Sequence, residues 1–245
     1  MNATYAAGER GARAAAREGA AVVVVDAFRA STTISVLVSK GARVVPVAFI
    51  EEAASYAGAD YRIGERGSAK VRGFDFGNSP TEIEATELKK GATVVLSTTN
   101  GTRIVEAASG APAILAGTFV NAHAVADELA SGAYGVRFAV IGCGWAGRRA
   151  SEDESAAGAI LYRLREKDAK VDERAERIVS LYLTRPKEAL RRNSAARRLE
   201  RLGYEKDLDF CFAENTVPVV PLLEGALLRA RGRPGFLAWW TNEER

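Results

Sequence analysis

The chain has 245 residues, of which 47% are hydrophobic and 27% charged, with a formal net charge of +3. That length holds one large α/β unit or two small lobes around a sizeable core, and the composition is ordinary for a globular protein. The small net charge excludes a polyelectrolyte built for nucleic acid. The longest apolar runs, "AAVVVVDAF" and "VPVVPLLEGALL", fall well short of the ~20 residues that cross a bilayer.

The opening stretch "MNATYAAGERGARAAAREG" carries charges without an apolar centre and does not read as a secretory signal. After it, short branched-aliphatic runs alternate with helix-like segments. "AVVVVD" (21–26), "RVVPVA" (43–48), "TVVLS" (93–97), "AILAG" (113–117) and "RFAVIG" (137–142) predict buried strands of a mainly parallel sheet. Between them "TTISVLVSKG", "EEAASYAG", "NAHAVADELASG" and "EDESAAGAILYRLREK" predict helices. Gly41, Gly58 and Gly132 stand where a helix end favours positive φ. This alternation implies right-handed βαβ units and a three-layer α/β/α fold in one compact unit over 1–245. The strand-turn-Thr pattern recurs in "VVVVDAFRASTT" and "TVVLSTTNGT", which marks two similar lobes, 1–90 and 91–245.

Ligands of such sheets sit beyond the carboxyl ends of the strands. The segments there are "DAFRASTT", "STTNGT", "AGTFVNAH", "GCGWAGRR" and the irregular insert "GERGSAKVRGFDFGNSPTE" (64–82). They bring Asp26, Arg29, Arg66, Lys70, Asp75, Asn78, Arg103, Glu152 and Asp153 among many Ser, Thr and Gly. Hydroxyls and glycine amides hold phosphate, and guanidinium with carboxylate suits a metal-bound anion.

The stretch "VIGCGWAGRRASEDE" (140–154) carries several readings. Gly142, Gly144 and Gly147 spell G-x-G-x-x-G, yet no second strand ending in an acid follows at the spacing a dinucleotide site needs. Cys143 and Arg149 form C-x5-R, which makes Cys143 either a phosphatase nucleophile or a small buried residue at a strand end. Ser151 and Glu154 have the grammar of a capping box, as do Ser79 and Glu82 in "SPTE".

Asp26 closes a four-valine strand, and burial there demands a partner, for which Arg29 is the nearest cation in sequence. Its functional reading is metal ligand or nucleophile. The single histidine, His123, cannot alone supply the nucleophile and acid of a histidine phosphatase. "RPKEALRRNSAARRLERLGYEK" (185–206) holds eight Lys or Arg against three Glu. It reads as one solvated helix from Pro186 to Gly203, with Leu190, Leu199 and Leu202 facing inward, rather than a polyanion-binding face. Cys143 and Cys211 match no disulfide or zinc framework, so a reducing cytoplasmic setting is expected.

Taken in order, "VVVVDAFRASTT", "GERGSAKVRGFDFGNSPTE", "LSTTNGT", "AGTFVNA", "GCGWAGRRASEDESAAGA" and "DFCFAENTVPVVPLLEG" resemble the 2-phosphosulfolactate phosphatase family. The resemblance implies a magnesium-dependent enzyme of coenzyme M biosynthesis, oligomeric, converting 2-phospho-3-sulfolactate to 3-sulfolactate and phosphate. Ser68 stands where the family commonly has glycine, and "GERGARAAAREGA" takes the place of a long N-terminal β segment. On this resemblance the expected catalytic residues are Asp26, Arg29 and Asp153. Mg2+ falls to Asp26, Asp75, Glu152 and Asp153. Phosphate and substrate fall to Ser31, Thr32, Thr33, Arg66, Lys70, Asn78, Thr98, Thr99, Asn100, Gly101 and Thr102. Partners would be a small phosphorylated anion and further copies of the chain, with neither nucleic acid nor membrane. A cysteine phosphatase using Cys143 and Arg149, or a non-catalytic small-anion binder, remains the alternative.

Overall fold

The computed structural model describes residues 1–145 and 147–231. The first half of the chain runs β1 (Asn2–Ala7), α1 (Gly8–Arg17), β2 (Ala21–Val25), α2 (Ala30–Ser39), β3 (Arg43–Pro46), α3 (Ile50–Ser55), β4 (Tyr61–Arg66), β5 (Ala69–Lys70) and α4 (Pro80–Glu84). There follow β6 (Thr93–Ser97), α5 (Gly101–Ala107), β7 (Ile114–Ala116), α6 (Ala122–Leu129), β8 (Arg137–Gly142) and α7 (Ser151–Glu166). The last elements are β9 (Lys170–Val171), α8 (Glu173–Thr184), α9 (Lys187–Arg191), α10 (Ser194–Arg201), α11 (Glu205–Cys211), β10 (Pro221–Glu224) and β11 (Leu227–Ala230).

The described strands make one eleven-stranded sheet, ordered β5-β4-β6-β3-β11-β10-β7-β2-β8-β1-β9. It consists of two parallel blocks, β4-β6-β3 and β7-β2-β8-β1-β9. The antiparallel β10–β11 hairpin joins them, through Leu222 against Leu115 and Leu228 against Val44. The chain starts in the second block, crosses to the first, and returns. A division near residue 90 would therefore part β6 from β3 and β4, with which it pairs.

The mostly parallel sheet is covered on both faces, which explains the continuous apolar strands. Along β2, Val22 and Val24 pack with Ala12 and Ala15 of α1 and Ile104 and Val105 of α5. Val23 and Val25 face the other way, into α6, α7 and α8 through Val125, Ile160 and Ile178. Each fully buried valine contributes about 1.5–3 kcal/mol. In the first block Val44, Val94 and Leu96 meet α2 and Ile83, while Val45 and Val95 meet Ala53 and Phe74. The result is the expected three-layer α/β/α architecture. Gly41, Gly58 and Gly132 do have positive φ, at 79°, 79° and 85°.

Three sequence expectations need correction, and one hairpin was not foreseen. A strand, β1, precedes α1 and pairs with β8 and β9, so the N-terminal β segment is not replaced. The insert at 64–82 is not irregular throughout: it contains the end of β4, a two-residue turn and β5. Gly67 and Ser68 form that turn with φ of 61° and 71°, the paired left-handed conformation of a tight hairpin. "VPVVPLLEGALL" supplies the unpredicted β10–β11 hairpin. The basic stretch 185–206 is not one helix, because Asn193 caps a new helix through the Ala196 amide, and Leu202 is 42% exposed. No helix among the described residues is long and apolar enough to cross a membrane.

Candidate active site

β2 delivers Asp26 to a position where only 9% of it is exposed. Its own amide donates to Ser31 Oγ (2.9 Å), and its Oδ1 accepts from the Ala30 amide (3.2 Å), so the carboxylate closes the turn into α2. The loop after β6 lies directly against it. A Cβ on Gly101 would stand 3.2 Å from Asp26 Oδ2, 3.1 Å from Ala30 Cβ and 3.5 Å from Thr98 Oγ1. A side chain there would press on Ala30 and Asp26, so glycine eases the close approach of that loop.

Three further buried carboxylates join Asp26. Asp153, in the first turn of α7, accepts from the Ala27 amide at Oδ1 (2.9 Å) and from the Gly144 amide at Oδ2 (2.8 Å), stapling the ends of β2 and β8 together. Glu152 beside it accepts from Asn193 Nδ2 at Oε2 (2.7 Å). Glu65, near the end of β4, accepts from the Ser68 amide (2.7 Å) and the Thr99 amide (2.6 Å).

Burial and mutual repulsion govern how these groups titrate. Burial pushes Asp26 up to about 7; the Ala30 bond opposes this, while Glu65 and Glu152 add to it. Burial, then Glu152 and Asp26, hold Asp153 well above the usual carboxylate range. Burial also raises Glu152, against its bonds from Ser151 and Asn193 and the charge of Arg198. Such a set strongly favours an added positive charge.

Next to Asp26 and Glu65, Thr98 Oγ1 and Thr99 Oγ1 are buried polar atoms without a partner among the described residues, as are Asn78 Oδ1 and, on α2, Thr33 Oγ1. Each such atom costs about 1–3 kcal/mol unless something pairs with it. Orphaned atoms grouped at strand ends mark a place where a ligand or ordered water belongs.

The other expected site residues are placed differently. Arg29 does not pair with Asp26: its Nη1 donates to Asp207 Oδ2 (2.5 Å), its Nη2 to the Ser68 carbonyl (2.9 Å), and Tyr204 lies under it at 4.2 Å. Ser31 Oγ turns back to the Val24 carbonyl and Thr32 Oγ1 to the Ala27 carbonyl, so these hydroxyls brace α2. Asp75 is exposed and accepts from the Arg62 amide (2.7 Å), apart from the four buried acids. Exposed Lys70 donates to the Asp75 carbonyl (2.5 Å), and exposed Arg66 donates to the Glu65 carbonyl and Ser97 Oγ. Asn100 precedes α5 without a side-chain cap, and Thr102 Oγ1 donates to the Thr98 carbonyl (3.3 Å). Thr102 also lines a cavity of about 610 Å³, with Val47, Phe49, Tyr56 and Glu106. That hollow is lined by none of the four buried carboxylates.

The loop after β8 resolves its competing readings. Cys143 is buried, and burial together with Asp26 and Asp153 pushes its thiol well above the usual range, the reverse of an activated nucleophile. Arg149 pairs with Glu154 instead of facing Cys143, so the cysteine-phosphatase reading fails. Gly144 and Gly147, at φ of 72° and 75°, shape the turn in which Trp145 and Arg148 exchange backbone hydrogen bonds. Gly142 leaves room for the Tyr5 hydroxyl. Ser151 does not cap α7, since Ala150 holds that position and no side chain bonds there. Ser79, in contrast, caps α4 through the Glu82 amide.

Sequence reasoning missed Glu65, Asn193, Arg198 and Asp207. Asp207 lies on the buried face of α11 with Leu208 and Cys211, a charge at an apolar helical position that signals a buried partner. Arg198 Nε donates to Ser68 Oγ (2.9 Å), so the basic stretch is not merely a solvated face.

No group of three or more His, Cys, Asp or Glu among the described residues forms a ready metal cage. The donors nevertheless fit a hard divalent ion of the magnesium kind, which takes one or two carboxylates and completes its shell with water and phosphate oxygens. Asp153 and Glu65 have both oxygens on backbone amides, whereas Asp26 Oδ2 accepts from no described donor and Glu152 takes its side-chain bonds at Oε2 alone.

Comparison with known proteins adds an independent finding. A family model described as 2-phosphosulpholactate phosphatase matches residues 7–226. A protein of Carboxydothermus hydrogenoformans named "Probable 2-phosphosulfolactate phosphatase" is 39% identical over 222 residues, 87% of this chain and 90% of the relative. One of Thermotoga petrophila with the same name is 39% identical over 204 residues, covering 82% and 88%. A third, of Gloeobacter violaceus, is 36% identical over 219 residues, covering 86% and 91%.

Proposed function

The chain belongs to the 2-phosphosulpholactate phosphatase family, and from that premise we propose that it is a phosphoric monoester hydrolase acting on 2-phospho-3-sulfolactate, with 3-sulfolactate and phosphate as products. The observation that carries this reading is the pair of Thr98 and Thr99 hydroxyls, both without partners, at the strand end that meets Asp26 and Glu65, in the cluster those carboxylates form with Glu152 and Asp153. Hydroxyls suit phosphoryl oxygens, and four buried acids next to them suit a cation more than they suit each other.

In this reading Asp26 and Glu152 would hold Mg2+, which when bound offsets phosphoryl charge. Thr98 and Thr99 orient the phosphoryl group. Asp153 keeps the β2 and β8 ends in register, and Glu65 does the same for the Thr99 amide and the turn at Ser68. Arg29 acts as a positioning residue, since both of its terminal nitrogens serve the fold. Asp26 is largely buried, so its charge acts in a lower dielectric than that of bulk water. A cytoplasmic homo-oligomer completes the proposal.

Phosphate release from 2-phospho-3-sulfolactate, assayed colorimetrically with magnesium and with EDTA, tests it. Magnesium-dependent release supports the reading. Absence of release from folded protein in both conditions refutes it and favours a non-catalytic anion binder.

A further inference from the structure

Resting on that reading, we infer that Arg198 receives the acid group that the substrate keeps after its phosphate has gone, and so decides which phosphorylated hydroxy acids the site accepts. The residue comes from the basic stretch that the proposed chemistry leaves unused. Its helix, α10, is tied to the site at its first turn, because the capping residue Asn193 also donates to Glu152 (2.7 Å). One helical turn further on, Arg198 is half-buried. Its Nε donates to Ser68 Oγ (2.9 Å), and its Cζ lies 3.9 Å from the centre of the Trp145 ring.

These two contacts fix the guanidinium in position and in plane, and its Nη1 and Nη2 donate to no acceptor among the described residues. Several neighbouring cations already have partners among the described residues. Arg29 bonds Asp207 and Ser68, Arg149 and Arg185 pair with Glu154, Arg66 serves the Glu65 carbonyl and Ser97, and Lys70 serves the Asp75 carbonyl. Burial depresses the Arg198 pKa, while the charges of Glu152 and Glu65 support it, which places the group at the edge of the carboxylate cluster. A planar fork with two open donors matches a carboxylate or sulfonate. A small phosphorylated hydroxy acid carries such a group within a few bonds of its phosphate. Ser68 contributes what a glycine at this left-handed position lacks: a hydroxyl that orients the fork.

The test is calorimetric titration of 3-sulfolactate, and separately of inorganic phosphate, into the full chain and its Arg198→Gln, Arg198→Lys and Ser68→Ala variants. We expect Arg198→Gln to weaken 3-sulfolactate about tenfold or more, with inorganic phosphate weakened far less. Arg198→Lys should not restore binding, since an ammonium lacks the fork, and Ser68→Ala should weaken it a few-fold. Equal weakening of both ligands, no weakening of either, or no binding of 3-sulfolactate by the unmodified chain would each overturn the inference. If Arg198→Gln does not fold, Arg198→Lys and Ser68→Ala decide. Arg198-dependent binding of 3-sulfolactate by a chain that releases no phosphate would sink the proposed activity and leave the Arg198 assignment standing.

Discussion

Arg29 Nη1 and Asp207 Oδ2, 178 positions apart in the chain, meet at 2.5 Å in an environment where neither side chain is more than 1% exposed. Asp207 also accepts from Ser79 Oγ (2.8 Å) and the Thr81 amide (3.2 Å), and Arg29 reaches the Ser68 carbonyl. One ion pair thus ties the start of α2, the β4–β5 turn, the start of α4 and α11. Replacing Asp207 by Ala strands a buried guanidinium, and we predict a loss of about 3–5 kcal/mol in urea unfolding. A loss under about 1 kcal/mol, the size of an exposed pair, would show the network to be dispensable.

Asp26→Asn removes a buried charge and keeps the shape. The expected outcome is a fall of ~10²-fold or more in phosphate release, with thermal stability at neutral pH equal to or above that of the unmodified chain. Near-normal turnover in the folded variant would end the assignment of Asp26.

The raised Asp26 pKa makes stability depend on pH in a defined direction. The native state binds this proton up to about pH 7, whereas the unfolded chain releases it near 3.8, the ordinary aspartate value. Between those limits the folded state holds more protons, so this group's contribution is complete below the lower value and is lost as pH rises through the higher one. Melting temperatures in EDTA should show that loss, and Asp26→Asn should flatten it. Magnesium binds the ionised form, so it should raise the melting temperature more at pH 8 than at pH 5. An equal effect at both pH values would argue against a carboxylate site.

Cys143 faces Asp26 and Asp153 from a buried position that disfavours its thiolate. We expect Cys143→Ser to keep phosphate release within a few-fold of normal, and thiol alkylation of the native protein to be slow. Near-complete loss of activity in a folded Cys143→Ser protein would restore the thiol mechanism.

The fold was largely legible because parallel strands buried on both faces must be written as unbroken aliphatic runs, as in "AVVVV" and "RFAVI". β1 escaped notice because "NATYAA" alternates small and polar residues, and only its pairing with β8 makes it a strand. The site was half legible. Asp26, Asn78, Thr98, Thr99, Glu152 and Asp153 lie where strand-end reasoning looks. Asp75 stood in an equally promising segment, yet its side chain turns to the Arg62 amide, a choice of rotamer that spacing does not reveal. Glu65 and Asn193 act through hydrogen bonds to residues 34 and 41 positions away, contacts that exist only once the sheet has formed.

The central claim is that the ends of β2, β4, β6 and β8 build one anion site with Asp26 and Glu152 at its acidic edge. A crystal structure of the protein with magnesium and 3-sulfolactate tests it most directly. The account predicts a cation against Asp26 Oδ2 and Glu152, with the ligand between Thr98, Thr99 and Arg198. Ligand density in the 610 Å³ cavity beside Phe49 and Glu106, with nothing bound near Asp26, would contradict it.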